Sequence, residues 1–277
     1  MTLRIAPLFR PIAEHFPSSA AIYRALRDEV DVLAKSVETP WGFYLSGNSL
    51  MASGEFERSE TQLVQDLLQD VDVLVNIGAN IGYYCCHALR LGKHVIAFEP
   101  IQRNLRHLFR NVAVNGWNDI EIFPVALSDR MGVMKIYGGD TGASVVKGWA
   151  GTSETYSTFV PSMTLDTVLG DRLLGQRVLV ILDVEGAEHM VLSGATKLLE
   201  NDPKPTWLIE ISATENQPQG VEVNPHLVET FGLMFSKGYE GFTATESRCS
   251  VSTDDVKIAS ESGIPVCGTH NFIFRSA

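Results

Sequence analysis

The run Val71-Asp72-Val73-Leu74-Val75-Asn76-Ile77 is apolar, rich in β-branched residues, and stops at Gly78. A continuous run of this kind fits a strand buried on both faces, so it predicts a mostly parallel sheet covered by helices. Past Gly78-Ala79-Asn80-Ile81-Gly82 the pattern becomes helical, from about Ile81. The two glycines allow a sharp turn with main chain open to a ligand, and the first amides of the helix point at whatever lies over that turn. Lys93 to Phe98 reads as a second strand ending in Glu99-Pro100. Ile101, Leu105, Leu108, Phe109 and Val112 then share one helix face, with Arg103, Arg106 and Arg110 on a solvated opposite face, until Asn115-Gly116. Ile120 to Val125 gives a third strand, leading to Ala126-Leu127-Ser128.

Further on, Val178 to Leu182 is a fourth strand that ends in Asp183, with a helix from about Ala187. Thr206 to Ser212, carrying Glu210, is a fifth. Asn224-Pro225 reads as an N-cap and first helical residue, opening a helix with Leu227, Val228, Phe231, Met234 and Phe235 inward. Tyr239–Thr243 and Asn271–Arg275 close the sheet, and the polar stretch between them carries no assignable element. Ahead of the first strand lie an amphipathic helix over Ser18–Lys35, a short hairpin over Phe43–Met51, and a helix from Ser59 or Thr61 to Gln69. The expected division is an N-terminal helical and hairpin extension over 1–58 and an α/β domain over 59–277. Within the latter, residues 138–158 hold five glycines and no periodicity. This stretch reads as a lid in which Trp149, with Trp41, offers a flat face to a sugar ring; the alternative packs Trp149 on the core.

The composition narrows the partners. With 22 basic against 33 acidic residues the net charge is −11, which disfavours nucleic acid and anionic membranes. A hydrophobic content of 45% supports a sizeable core, and no apolar run approaches the roughly 18 residues that span a bilayer. Pro7, Pro11, Glu14 and Pro17 interrupt any apolar stretch of a signal peptide. Cys85, Cys86, Cys249 and Cys267 show no metal spacing, and the reading is a reduced, cytoplasmic protein.

The turn after the first strand is a nucleotide-type site, although Asn80 stands where G-x-G-x-x-G has its second glycine. Glu99, about 20 residues past Gly78, is placed to accept from both ribose hydroxyls of an adenosine. The main chain at Ala126 and the Ser128 side chain are candidates for the adenine. Asp183 puts a carboxylate at the strand end, where open α/β sheets bind ligands.

Asn76-Ile-Gly-Ala-Asn-Ile-Gly-Tyr-Tyr84, Phe98-Glu99-Pro100, Leu165-Asp166, Asp183-Val-Glu-Gly-Ala-Glu188 and Asn271-Phe-Ile-Phe274 together resemble the FkbM-type methyltransferases, from about Gly54 onward. The resemblance implies a Rossmann-like class I methyltransferase sheet of seven strands, mostly parallel with an antiparallel last strand and helices on both faces. It implies S-adenosylmethionine as cofactor and O-methylation of a sugar or other hydroxylated small molecule. The carried-over cofactor residues are Gly78, Ala79, Asn80 and Gly82 at the methionine end and Glu99 at the ribose, joined by Asn76, Tyr83, Pro100, Ala126, Ser128 and Asp183.

Two positions depart from that pattern: Asn76 stands where the family usually has Asp, and Ile181 where it usually has Lys. They motivate the alternative of a catalytically impaired binding module. An NAD-dependent Rossmann enzyme is a further alternative, disfavoured by Asn80 and by Asp-Val-Glu-Gly. Three residues are candidate bases for the acceptor hydroxyl: Asp183, Glu185 and His270. An antiparallel last strand would bring His270 and Asn271 towards Asp183, and a neutral imidazole accepts a proton near pH 6.5 where an ordinary carboxylate is weak. Helix capping is the competing role for Asp183 and Glu185, and Glu188 reads as structural. A divalent ion at Asp183 is possible but has no ligand spacing behind it.

Overall fold

The computed structural model describes residues 35–139 and 142–276; the helix expected from Ser18 falls outside them. The strands are β1 Val37–Glu38, β2 Tyr44–Leu45, β3 Val73–Ile77, β4 His94–Phe98, β5 Ile120–Phe123, β6 Ala126–Leu127, β7 Gly132–Tyr137, β8 Ser157–Met163, β9 Val178–Leu182, β10 Thr206–Glu210, β11 Tyr239–Thr243, β12 Ser250–Val251 and β13 Asn271–Ser276. The central sheet runs β12-β11-β13-β10-β9-β3-β4-β5. From β10 to β5 every pairing is parallel, while β13 is antiparallel to both β10 and β11. The expected architecture is present with eight strands rather than seven, because the two residues of β12 pair onto the outer edge of β11.

The helices are α1 Ser49–Ser53, α2 Arg58–Gln69, α3 Tyr83–Arg90, α4 Gln102–Val114, α5 Leu165–Leu169, α6 Glu188–Ser193, α7 Thr196–Leu199, α8 Leu227–Ser236 and α9 Thr253–Ser262. Side chains alternate along β3. Val73, Val75 and Ile77 join the core under α5 to α9, and Leu74 joins Leu179, Leu208 and Ile273 under α2, α3 and α4. Each fully buried valine, leucine or isoleucine contributes about 1.5–3 kcal/mol, and burial on both faces explains why these strands read as unbroken apolar runs. The period of two also fixes the site. Asn76, Ile181 and Leu208 are register partners, so Gly78, Asp183 and Glu210, each two residues on, reach the carboxyl edge on the face of α2 and α3.

Three elements differ from expectation. The hairpin pairs Val37–Glu38 with Tyr44–Leu45, not within Phe43–Met51. Asn48 instead caps α1, its side chain accepting from Leu50 N and Met51 N. The unassigned polar stretch contains β12 and α9, opened by a capping box between Ser252 and Asp255. A second sheet, β6-β8-β7, flanks the stretch expected to be a loop and takes in only its last two residues, 157 and 158. Residues 35–58 pack on helices, not on a sheet edge: Phe43, Leu45 and Met51 meet Ile81, Tyr83 and Cys86. Asn111 Oδ1 accepts from Ser46 N at 2.8 Å across the same contact.

Candidate functional site

Past β3 the chain turns through Gly78 (φ 83°), Asn80 (φ 52°) and Gly82 (φ 84°). A Cβ on Gly78 would lie 1.8 Å from the Asp183 carbonyl oxygen, and one on Gly82 would lie 2.2 Å from Leu108 Cδ1. Both glycines are therefore required by packing within the protein, and of the two Gly78 alone lines a cavity. The turn aims the Asn80 amide at Glu99 Oε2, 2.8 Å away, while Ile101 N donates to Oε1 at 2.8 Å and Asn104 Nδ2 at 3.3 Å. Glu99 is 4% exposed. Burial pushes its carboxyl up to about 7 against these three donors.

Gly78, Asn80, Glu99 and Pro100 form the polar side of a cavity that opens to solvent. Its other wall is apolar: Phe98, Ile101, Val125, Ala126 and Ile136, roofed by Ala143 and Val145 of the glycine-rich segment. A slot with apolar walls and one buried acid at its rim has the chemistry to take a flat heteroaromatic base joined to a diol.

Five of the expected cofactor residues lie outside this slot. Ala79 is buried in the core beneath α3, and Gly82 packs on Leu108. The Tyr83 hydroxyl meets Thr61 Oγ1 at 3.1 Å and its ring meets Trp41, Phe56 and His87, because the helix turns that face away. Ser128 is 1% exposed, bonds Asp129, and lies under Gly194, where a Cβ would approach its carbonyl oxygen to 2.2 Å. Asn76 is 3% exposed and donates to Cys85 Sγ at 3.3 Å.

Asn76 lines a second, acidic cavity with Glu60, Tyr84, Asp183, Glu210 and Asn271, and the two cavities share Gly78 and Asp183. Glu60 accepts from Tyr84 Oη at 2.8 Å and from Asn271 Nδ2 at 2.6 Å. Water in the cleft reaches Asp183, yet protein walls it on the other sides. That enclosure, with Glu210, Glu185, Glu60 and Glu188 nearby, pushes its carboxyl well above the usual range. Burial and the same acids raise Glu210 to about 8 and Glu57 to about 7.

Glu185, at φ 57°, is held from the glycine-rich segment: Trp149 Nε1 donates to its carboxylate at 2.6 Å and Ser144 Oγ to its carbonyl at 2.5 Å. Trp149 is 2% exposed, so its ring is a packing element and not a face offered to a sugar. Trp41 likewise sits against Phe43, Tyr83 and His87. Capping is not what Asp183 does, since the N-cap of α6 is Ala187 and no side chain caps it; Glu188 accepts the Gly186 amide at 2.8 Å, the structural role expected of it. His270 is exposed and lines neither cavity; its carbonyl accepts from Ile211 N at 2.6 Å, and its imidazole is close enough to lower the pKa of Glu60. Asn271 beside it does reach the acidic cavity.

The sequence reading missed Glu60, Tyr84 and Ser144, which no local motif marks. Glu210 was visible only as an acid within the fifth strand, which read as continuing to Ser212. No group of His, Cys, Asp and Glu among the described residues is arranged to hold a metal ion, and no helix among them is long and apolar enough to cross a membrane.

The sequence matches the methyltransferase FkbM domain over residues 76–240. No curated protein matches it. Similar solved structures include a precorrin-6y C5,15-methyltransferase from Geobacter metallireducens GS-15, 11% identical, covering 83% of this chain and 90% of that one with a TM-score of 0.40. An S-adenosylmethionine-dependent methyltransferase described as such from Listeria monocytogenes is 9% identical, covers 78% and 96%, and has a TM-score of 0.37. An O-methyltransferase family protein from Burkholderia thailandensis is 10% identical, covers 82% and 58%, and has a TM-score of 0.36.

Proposed function

The chain belongs to the FkbM methyltransferase family, and we propose that it transfers the methyl group of S-adenosylmethionine to a hydroxyl of a small molecule or sugar. The observation that carries this reading is the shared wall: an apolar-walled slot with a buried acid at its rim and a cavity with open acceptors meet at Gly78 and Asp183. The residues fit the cofactor, with Glu99 and Asn80 for the ribose, Pro100, Ile101 and Ala126 for the adenine, and Gly78 towards the methionine end. When bound, S-adenosylmethionine supplies a methyl group already activated for transfer.

The chain's own part is to align the acceptor, exclude water and take a proton. Asp183 is the preferred base. A carboxylate raised well above its ordinary range accepts a hydroxyl proton better than a solvated one, which weakens the case for an imidazole at 270. The carboxylates of the second cavity favour a small acceptor over nucleic acid, whose phosphates they would repel. A cytoplasmic setting belongs to the same proposal, as does a supporting role for residues 35–58 in packing α3 and α4.

Transfer of a labelled methyl group from S-adenosylmethionine to a library of hydroxylated acceptors, read as products heavier by one methylene, tests the reading. Absence of any labelled product together with absence of S-adenosylhomocysteine binding would refute it.

A further inference from the structure

The acidic cavity holds acceptors without donors. Of its lining groups Glu60 is already engaged, by Tyr84 Oη and Asn271 Nδ2. The carboxylates of Asp183 and Glu210 receive no protein donor among the described residues, and their charged neighbours are other acids. Asn76 is an independent sign. Its side chain is 97% buried by the 3% exposure above, and it lines the cavity. Its Nδ2 is spent on Cys85 Sγ, and its Oδ1 has no donor among the described residues. Ile181, on the same wall, supplies no charge.

These acceptors open onto the cleft with no protein donor facing them, so this wall suits a ligand that donates. A neutral hydroxyl would satisfy one acceptor and bring no charge to two adjoining acids that otherwise hold on to a proton. A carboxylate or phosphate would add to the repulsion. A primary ammonium brings three donors in one compact group together with the missing positive charge.

We infer that the acceptor carries a primary ammonium beside the hydroxyl to be methylated, as an amino sugar or amino alcohol does, an inference that rests on the methyltransferase reading above. The donor's own amino group is the competing claimant for these carboxylates, and the experiment separates the two.

The full chain, saturated with S-adenosylhomocysteine at neutral pH, is titrated calorimetrically with matched pairs: glucosamine against glucose, and 2-amino-1,3-propanediol against glycerol. The aminated member of each pair should bind about tenfold tighter or more, the size of one charge-assisted hydrogen bond. Glu210→Gln should bring that ratio close to one while the affinity for S-adenosylhomocysteine stays unchanged. Equal affinity within the pairs, including no binding by either member, would overturn the inference. So would a Glu210→Gln chain that loses S-adenosylhomocysteine affinity in step with the aminated ligand, which would assign the carboxylates to the donor. Should a variant fail to fold, the pair ratio on the unaltered chain decides. If S-adenosylhomocysteine itself does not bind, the methyltransferase reading fails, and the same ratio measured on the unliganded chain still decides this one.

Discussion

Asn76 on β3 and Ile181 on β9 are register partners, side by side on neighbouring parallel strands at the floor of the acidic cavity. By the resemblance drawn from the sequence, the FkbM pattern usually has Asp and Lys at these positions, so the two departures fall on one neighbouring pair. Adjacent strands lie about 4.8 Å apart, close enough for the two charges to have neutralised each other, and losing both leaves no orphan. This favours a working site over an impaired one.

Asn76→Asp alone should destabilise the chain by about 3 kcal/mol at neutral pH, because a further buried carboxylate would join Asp183 and Glu60 without a partner. Adding Ile181→Lys should recover most of the loss. Urea denaturation in a double-mutant cycle measures the coupling, and strictly additive effects would show that the positions do not interact.

Glu99→Ala should weaken S-adenosylhomocysteine at least tenfold, since a charge-assisted acceptor to two hydroxyls is worth about 1.5–3 kcal/mol. Calorimetry on the folded variant measures it. An unchanged dissociation constant would remove Glu99 from the ribose.

Asp183→Asn should lower turnover at least a hundredfold, the usual scale of a lost general base, with cofactor affinity unchanged. Because the Asp183 carboxyl is raised, the activity of the parent should climb with pH well above the ordinary carboxylate range. His270→Ala should change turnover much less, and the reverse ranking of the two variants would transfer the role to His270.

Trp149→Phe keeps most of the ring and removes the donor to Glu185, and should cost about 1–2 kcal/mol; Trp149→Ala should cost about 3–5 kcal/mol through the cavity it leaves. Chemical denaturation gives both values. Parent-like stability in the alanine variant would show that the indole is not a packing element.

Burial pushes Glu57, Glu99 and Glu188 up to about 7 and Glu210 up to about 8, from an ordinary 4.5. Each holds its proton more tightly in the folded chain, so its contribution to stability is complete below about pH 4.5 and is lost as pH rises through 7 to 8. His87 acts in the other direction. Burial, with Arg90 nearby, pushes it down to about 4 from 6.5, so stability falls as pH drops through that window. Four such acids outweigh one histidine above pH 4.5, so the ligand-free chain should melt higher at about pH 5 than at about pH 8, and Glu210→Gln should melt several degrees above the parent at about pH 8 but nearly level with it at about pH 5. A parent more stable at about pH 8 than at about pH 5 would contradict this.

The strands buried on both faces were legible because they demand unbroken runs such as Val73–Ile77 and Val178–Leu182. Glu99 and Asp183 were legible as acids ending such runs, whereas the fifth strand read as continuing to Ser212 and hid that it ends at Glu210. Less could be read where a side chain's role depends on distant packing. Glu60 and Tyr84 come from helices that merely lie over the sheet edge, and Tyr83, one residue before Tyr84, turns the other way. The glycine-rich segment read as a free lid because nothing local announces that Trp149 inserts beside Glu185. β12 is only two residues long, below what a periodic pattern can signal.

The meeting of Trp149 and Gly186 also sets an order in which these positions can change over evolutionary time. A Cβ at Gly186 would lie 2.6 Å from the indole, and the residue also holds φ 92°. Two separate demands thus fall on one glycine, and shrinking the indole lifts only the first. Trp149 is free to drift to a smaller residue with Gly186 in place, whereas Gly186 cannot drift first. Homologues with a smaller residue at 149 should keep the glycine, and a lineage that has lost the glycine should have rebuilt the whole turn after Asp183.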